Sequence, residues 1–120
     1  MKVSILVPIY NVEKFFSRCL ESLFSQTYPN IEYVFVNDCT PDNSMDVLHN
    51  FMEKYPQRAN MVKIINNATN SGIAIVRNIL LENATGDYIL FVDSDDWVER
   101  DMVEQFVENV RHTDADIVGC

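Results

Sequence analysis

Four short apolar runs, at residues 3–7, 31–36, 61–65 and 88–92, alternate along this chain with segments whose apolar residues recur at helical spacing. Apart from Ser4, the first run is continuously apolar, and the last, Tyr88-Ile89-Leu90-Phe91-Val92, is wholly aromatic or aliphatic. Runs of that kind need cover on both faces, which predicts a mostly parallel sheet with helices packed on each side. The helical segments are equally legible. Val12, Phe15, Phe16, Cys19, Leu20, Leu23 and Phe24 mark a first helix over about 12–26, with Asn11 as its N-cap and Glu13 in its first turn. Met45, Leu48, Phe51, Met52 and Tyr55 mark a second, capped by Asp42 or Asn43 and closed by Pro56. Ile73, Val76, Leu80 and Leu81 mark a third that stops near Gly86, and Met102, Val103, Phe106, Val107 and Val110 a fourth. Residues 116–119 read as the start of a fifth strand, which suggests a longer parent. The 120 residues form one domain.

The last run leads directly into Asp93-Ser94-Asp95-Asp96. Asp is common at turns and helix starts, and one Asp there would need no other account. Three carboxylates at the end of one buried strand repel each other unless a cation lies among them. Hard divalent ions such as magnesium take oxygen ligands of this kind.

Nine Lys and Arg against eighteen Asp and Glu give a net charge of -9. No basic stripe is available for nucleic acid, and an anionic membrane surface would repel the chain. Cys19, Cys39 and Cys120 have no paired spacing, so neither a disulfide framework nor a zinc site is indicated. No apolar run approaches the length of a membrane span. The expectation is a cytoplasmic protein, peripheral at the inner membrane face only through a part beyond residue 120.

Ligands of open parallel sheets bind at the carboxyl ends of the strands, near the point where strand order reverses. The first strand ends in Pro8-Ile9-Tyr10-Asn11, the second in Asn37-Asp38, the fourth in the acidic cluster. If the first strand lies between the other two, one crevice gains an aromatic ring, a lone carboxylate and a metal-binding turn. A nucleoside diphosphate needs those three things. Tyr10 offers a stacking surface, Asp38 an acceptor for an imide N–H, and a metal on Asp95 the charge to hold a diphosphate. Arg77 lies on a mostly apolar helix and needs a partner, either a phosphate or a site carboxylate. Ser94 is placed to touch a ligand but has no His beside it to make it a nucleophile. No Gly-rich loop follows the first strand, which disfavours a P-loop or a dinucleotide site.

Several stretches together resemble the family 2 glycosyltransferases. They are Val3-Ser4-Ile5-Leu6-Val7-Pro8-Ile9-Tyr10-Asn11, Ser25-Gln26-Thr27-Tyr28, Asn37-Asp38 with Asp42-Asn43-Ser44, Asn70-Ser71-Gly72 with Arg77-Asn78, and 86–96. The resemblance spans nearly the whole chain. It implies a GT-A, Rossmann-like α/β fold in which a nucleotide-binding half precedes an acceptor-binding half. It implies magnesium- or manganese-assisted transfer, usually with inversion, from a nucleotide diphosphate sugar to a saccharide or lipid-linked acceptor. By resemblance Pro8 and Tyr10 lie at the nucleoside, Asp38 at the base and Arg77 near the diphosphate. Asp93 lies near the ribose or the metal, and Asp95 ligates the metal. The family's catalytic base belongs to the acceptor half, so no residue here is assigned as catalytic. Cys39-Thr40-Pro41 replaces the commoner Gly-Ser-Thr, and Val76 a small Ala.

Three rival readings are a magnesium-binding receiver domain, a sugar nucleotidyltransferase and a donor-binding module without catalysis. The first wants an acidic pair after the first strand, the second a Gly-rich basic loop there. Pro8-Ile9-Tyr10-Asn11 is neither. An apolar surface left for the acceptor half also predicts self-association.

Overall fold

The computed structural model describes residues 1–113, and the fifth strand expected at 116–119 lies outside them. Four strands, β1 (Val3–Ile9), β2 (Ile31–Asn37), β3 (Val62–Asn66) and β4 (Tyr88–Phe91), form one parallel sheet in the order β3-β2-β1-β4. The third begins one residue later than the apolar run suggested. Five helices intervene or follow: α1 (Phe16–Phe24), α2 (Ser44–Lys54), α3 (Pro56–Ala59), α4 (Ile73–Asn83) and α5 (Met102–Thr113). Pro56 does not simply end the second helix but opens α3, where its fixed φ suits the first helical position.

Alternate residues of each strand feed two cores. Ile5, Val7, Ile9, Tyr33, Phe35 and Leu90 pack with α1, Leu48 of α2 and Val103, Phe106 and Val107 of α5. On the opposite face Leu6, Val34 and Val36 pack with Val76 and Leu80 of α4, joined at the margin by the partly buried Ile65, Ile79 and Ala84. Fully burying an aliphatic side chain is worth about 1.5–3 kcal/mol, so this second core is modest. It also leaves one expectation unmet. Ile89 and Phe91, which share the α4 side of the sheet with Leu6, are 37% and 44% exposed, because α4 lies over β1 and β2 and stops short of β4. Ile73 and Leu81, expected on the buried stripe of α4, are exposed, as is Phe15 just before α1.

The first helix starts late. One hydrogen-bonded turn precedes it, Phe16 N–H donating to the carbonyl of Val12, but Asn11 is not its N-cap. Asn11 has φ +55°, and its N–H donates instead to Thr40 Oγ1 at 2.8 Å. On α2, Asn43 occupies the N-cap position without a side-chain bond, while Asp42 Oδ1 accepts from the Ser44 N–H.

Two features shape the two ends of the sheet. At the carboxyl end, Leu6 C=O accepts from Val92 N–H, so even-numbered residues of β1 turn their polar groups toward β4. The next rung would need an N–H from residue 8. Pro8 has none, and the β1–β4 ladder stops there. At the opposite end, Glu32 of β2 is 2% exposed. Its carboxylate accepts from Ser4 Oγ, from Thr85 N and Oγ1, and pairs with Lys63 at 2.7 Å and Lys2 at 3.6 Å. Gly86 is therefore not a helix stop, since α4 ends at Asn83. It lets the chain approach β1: a Cβ there would lie 2.6 Å from Ser4 Oγ.

Candidate functional site

Because β1 lies between β2 and β4, the loops that follow these three strands are neighbours at the carboxyl edge of the sheet, where strand order reverses and a ligand crevice is expected. Tyr10, Asp38 and the acidic turn are the residues those loops carry. Pro8 is half-buried at the crevice floor, and Tyr10 is 46% exposed.

Asp38 is 5% exposed, and its carboxylate is already at work. Oδ1 accepts from Asn67 Nδ2 at 2.9 Å and Ser71 N–H at 2.8 Å, and Oδ2 from Gly72 N–H at 3.1 Å. Burial alone would raise its pKa. The bonds from Asn67, Ser71 and Gly72 outweigh burial and hold the group below the ordinary range, so it is ionised. Gly72, at φ +87°, supplies the left-handed backbone that turns its N–H toward Asp38 at the start of α4. Asp38 thus anchors the loop entering α4, a role the sequence reading did not assign. One lone-pair direction on Oδ2 remains for an outside donor.

Asp93, Asp95 and Asp96 are exposed on a tight turn closed by Asp96 N–H donating to the Asp93 carbonyl. Ser94 between them is 6% exposed. Among the described residues none of the three carboxylates is ion-paired, and no group of three His, Cys, Asp or Glu side chains is poised around one point. Their field is felt beneath them. Burial first, then the charges of Asp96, Asp95 and Asp93, push the Cys19 thiol up to about 12. An all-oxygen set of one or two carboxylates facing the crevice fits a magnesium-like ion, which keeps positions for substrate phosphate and water rather than filling its shell from the protein.

Arg77 reaches neither a site carboxylate nor any other ion-pair partner among the described residues. Its guanidinium lies over the exposed ring of Phe91, 5.9 Å from the centroid, beside the end of β4. Trp97, next to the acidic turn, is covered in the same way by Arg18 at 4.4 Å, a contact with no signal in sequence spacing. A groove of about 970 Å³ bounded by Trp97, Arg18, Tyr55 and Arg58 includes none of the expected site residues. His49 is exposed on α2, away from the crevice.

The family model for glycosyl transferase family 2 matches residues 4–120. The chain belongs to that family. Among curated relatives, an uncharacterized glycosyltransferase, EpsJ of Bacillus subtilis, is 42% identical over 98% of this chain and 33% of its own length. Among solved structures, TarS 1–349 of S. aureus in complex with UDP-GlcNAc superposes with a TM-score of 0.84 at 33% identity, over 93% of this chain and 32% of that one. The mannosyltransferase PcManGT from Pyrobaculum calidifontis, in complex with GDP-Man and Mn2+, gives 0.82 at 25% identity, over 91% of this chain and 32% of that one. The chain therefore spans about a third of the relatives it matches. The fold is the GT-A type expected, and family membership sets aside the receiver and nucleotidyltransferase readings. Among the described residues no helix is long and apolar enough to cross a membrane.

Proposed function

We propose that residues 1–120 are the donor-binding part of a glycosyltransferase that moves a sugar from a nucleotide diphosphate sugar, a UDP-sugar by preference, to an acceptor hydroxyl with inversion. One observation supports the reading: in the strand order β2-β1-β4 the loops that carry Tyr10, Asp38 and the acidic turn follow neighbouring strands at their carboxyl ends. The sugar nucleotides bound to TarS and PcManGT support it.

In this reading the Tyr10 ring stacks on the base. Asp38, ionised and acceptor-only, takes the N3–H of uracil on its remaining lone pair, which cytosine cannot supply. Pro8 leaves the crevice floor open beneath the nucleoside, and Ser94 lines it. Asp95 and Asp93 would hold Mg2+ or Mn2+, which when bound offsets the charge on a departing diphosphate. Arg77, its guanidinium over the Phe91 ring, adds positive charge on the same side. The acceptor, a saccharide or lipid-linked chain, and the base that deprotonates it belong to the longer protein.

Calorimetric titration with UDP tests the reading. Binding weakens at least tenfold in EDTA, and Asp95→Asn weakens it to a similar extent. Equal affinity with and without chelator refutes the metal assignment, and no binding under either condition refutes the donor site.

A further inference from the structure

Tyr10 has no hydrogen bond or ring contact of its own among the described residues, so the backbone on either side sets its position. On one side is β1, where Ile9 pairs with Asn37 and its carbonyl accepts from Asp38 N–H. On the other is the turn over 11–13. There three successive N–H groups point into the loop that follows β2. Asn11 N–H donates to Thr40 Oγ1 at 2.8 Å, Val12 N–H to Ser44 Oγ at 3.2 Å, and Glu13 N–H to Asp42 Oδ2 at 3.0 Å.

Asp42 organises all three acceptors. Thr40 Oγ1 and Ser44 Oγ each donate to its Oδ1 at 2.6 Å, which turns their lone pairs toward Asn11 and Val12. Ser44 N–H also donates to Oδ1. The contact is reciprocal, since Glu13 Oε1 accepts from Asn43 N–H at 3.1 Å. A run of backbone N–H groups around one left-handed residue makes a concave anion site. Here the Asp42 carboxylate takes the Glu13 N–H directly, and the two hydroxyls it holds take the other two. Burial alone would raise the Asp42 carboxyl, and the bonds from Ser44, Thr40 and Glu13 hold it at about 2, so it is charged at any working pH.

We infer that Asp42 is a positioning residue of the donor site: with the Thr40 and Ser44 hydroxyls it locks the turn after β1 to the loop after β2, and so fixes where Tyr10 presents its ring. The role rests on reading the crevice as a nucleotide site. Asp42 touches no ligand itself. Its loss leaves the Glu13 N–H without its acceptor and releases the Thr40 and Ser44 hydroxyls that Asp42 orients toward Asn11 and Val12, which loosens the backbone of Tyr10 while the acidic turn after β4 is untouched. It therefore weakens recognition of the nucleoside and spares that of the diphosphate.

The experiment has two arms, on wild type, Asp42→Ala and Thr40→Val, the last serving if the first does not fold. Hydrogen exchange on the ligand-free proteins reads the amides of Asn11, Val12 and Glu13. They are protected in wild type and lose protection in both variants, while β1 amides keep theirs. Calorimetry reads UDP and, separately, inorganic diphosphate with Mg2+. UDP affinity falls at least tenfold in Asp42→Ala and severalfold in Thr40→Val, and diphosphate affinity stays within about twofold. Unprotected amides in wild type overturn the inference, as does an equal fall for both ligands. If wild type binds UDP and the variants bind it equally, only the positioning role fails. If wild type binds no UDP although the amides are protected, the donor-site reading fails and the positioning role goes with it.

Discussion

Replacing Glu32 with glutamine removes one charge from the sheet and almost no volume. The carboxyl of Glu32 lies at about 2 in the folded protein instead of the ordinary 4.5. Burial alone would raise it, and Lys63, Ser4 and Thr85 together overturn that. A carboxyl with a folded pKa below its unfolded value stabilises the fold above the unfolded value and loses that contribution as pH falls toward the folded one. The full span corresponds to about 3 kcal/mol at neutral pH. Lys63 and Lys2 have side chains 45% and 33% exposed, so solvent screens part of the attraction. The expected cost of Glu32→Gln at pH 7 is then about 2 kcal/mol. More than half of it should be gone by about pH 3, because the unfolded chain is by then largely protonated at this carboxyl while the folded one, at about 2, is still mostly ionised. Urea unfolding of both proteins across that range reads the difference directly. A gap that stays constant with pH, or no gap at pH 7, would refute the claim that the charge of Glu32 holds the strands together at this end.

Asp38→Ala should lower UDP affinity by about 1.5–3 kcal/mol, the scale of a hydrogen bond to a charged group. Wild type should bind UDP more tightly than CDP, and equal binding of the two in calorimetry would remove the base-recognition role. Gly86→Ala and Gly72→Ala should both destabilise, for different reasons. The first drives a Cβ into Ser4 and should cost about 1–3 kcal/mol. The second meets open space but is held at φ +87°, and should cost about 1 kcal/mol or a little more. In urea unfolding, a neutral Gly86→Ala would mean that β1 can move away from the 84–87 segment.

The strands were legible because burial on both faces leaves little besides apolar residues between turns, and three of the four runs start where the strands do. Strand order followed from where chemistry had to converge. The failures are tertiary. Nothing local says that Asn11 turns left-handed, because the cause is Thr40, Asp42 and Ser44 in another loop. Ile73 and Leu81 were read onto a buried stripe, yet both are exposed and only Val76 and Leu80 of that stripe are buried. Glu32 gives no local sign of its role, because its partners come from three other segments. Tyr10, Asp38 and Asp93–Asp96 are candidates that strand ends alone supply. Asn67 could have been found the same way, since it follows β3 as Asp38 follows β2. The stacking of Arg77 on Phe91 and Arg18 on Trp97 depends on helix placement, which periodicity does not specify.

The proline at position 8 sets a limit of a different kind from the charges around it. Carboxylates, arginines and their hydrogen bonds respond to acid, to salt and to the ions of the medium. A pyrrolidine ring responds to none of these. The end of the ladder between β1 and the segment leaving β4 is set by a covalent structure that lacks one hydrogen. The mouth of the crevice should thus keep its width under conditions that would rearrange everything lining it. At this end of the sheet, sensitivity to the surroundings belongs to the side chains that line the opening and not to the proline that ends the ladder.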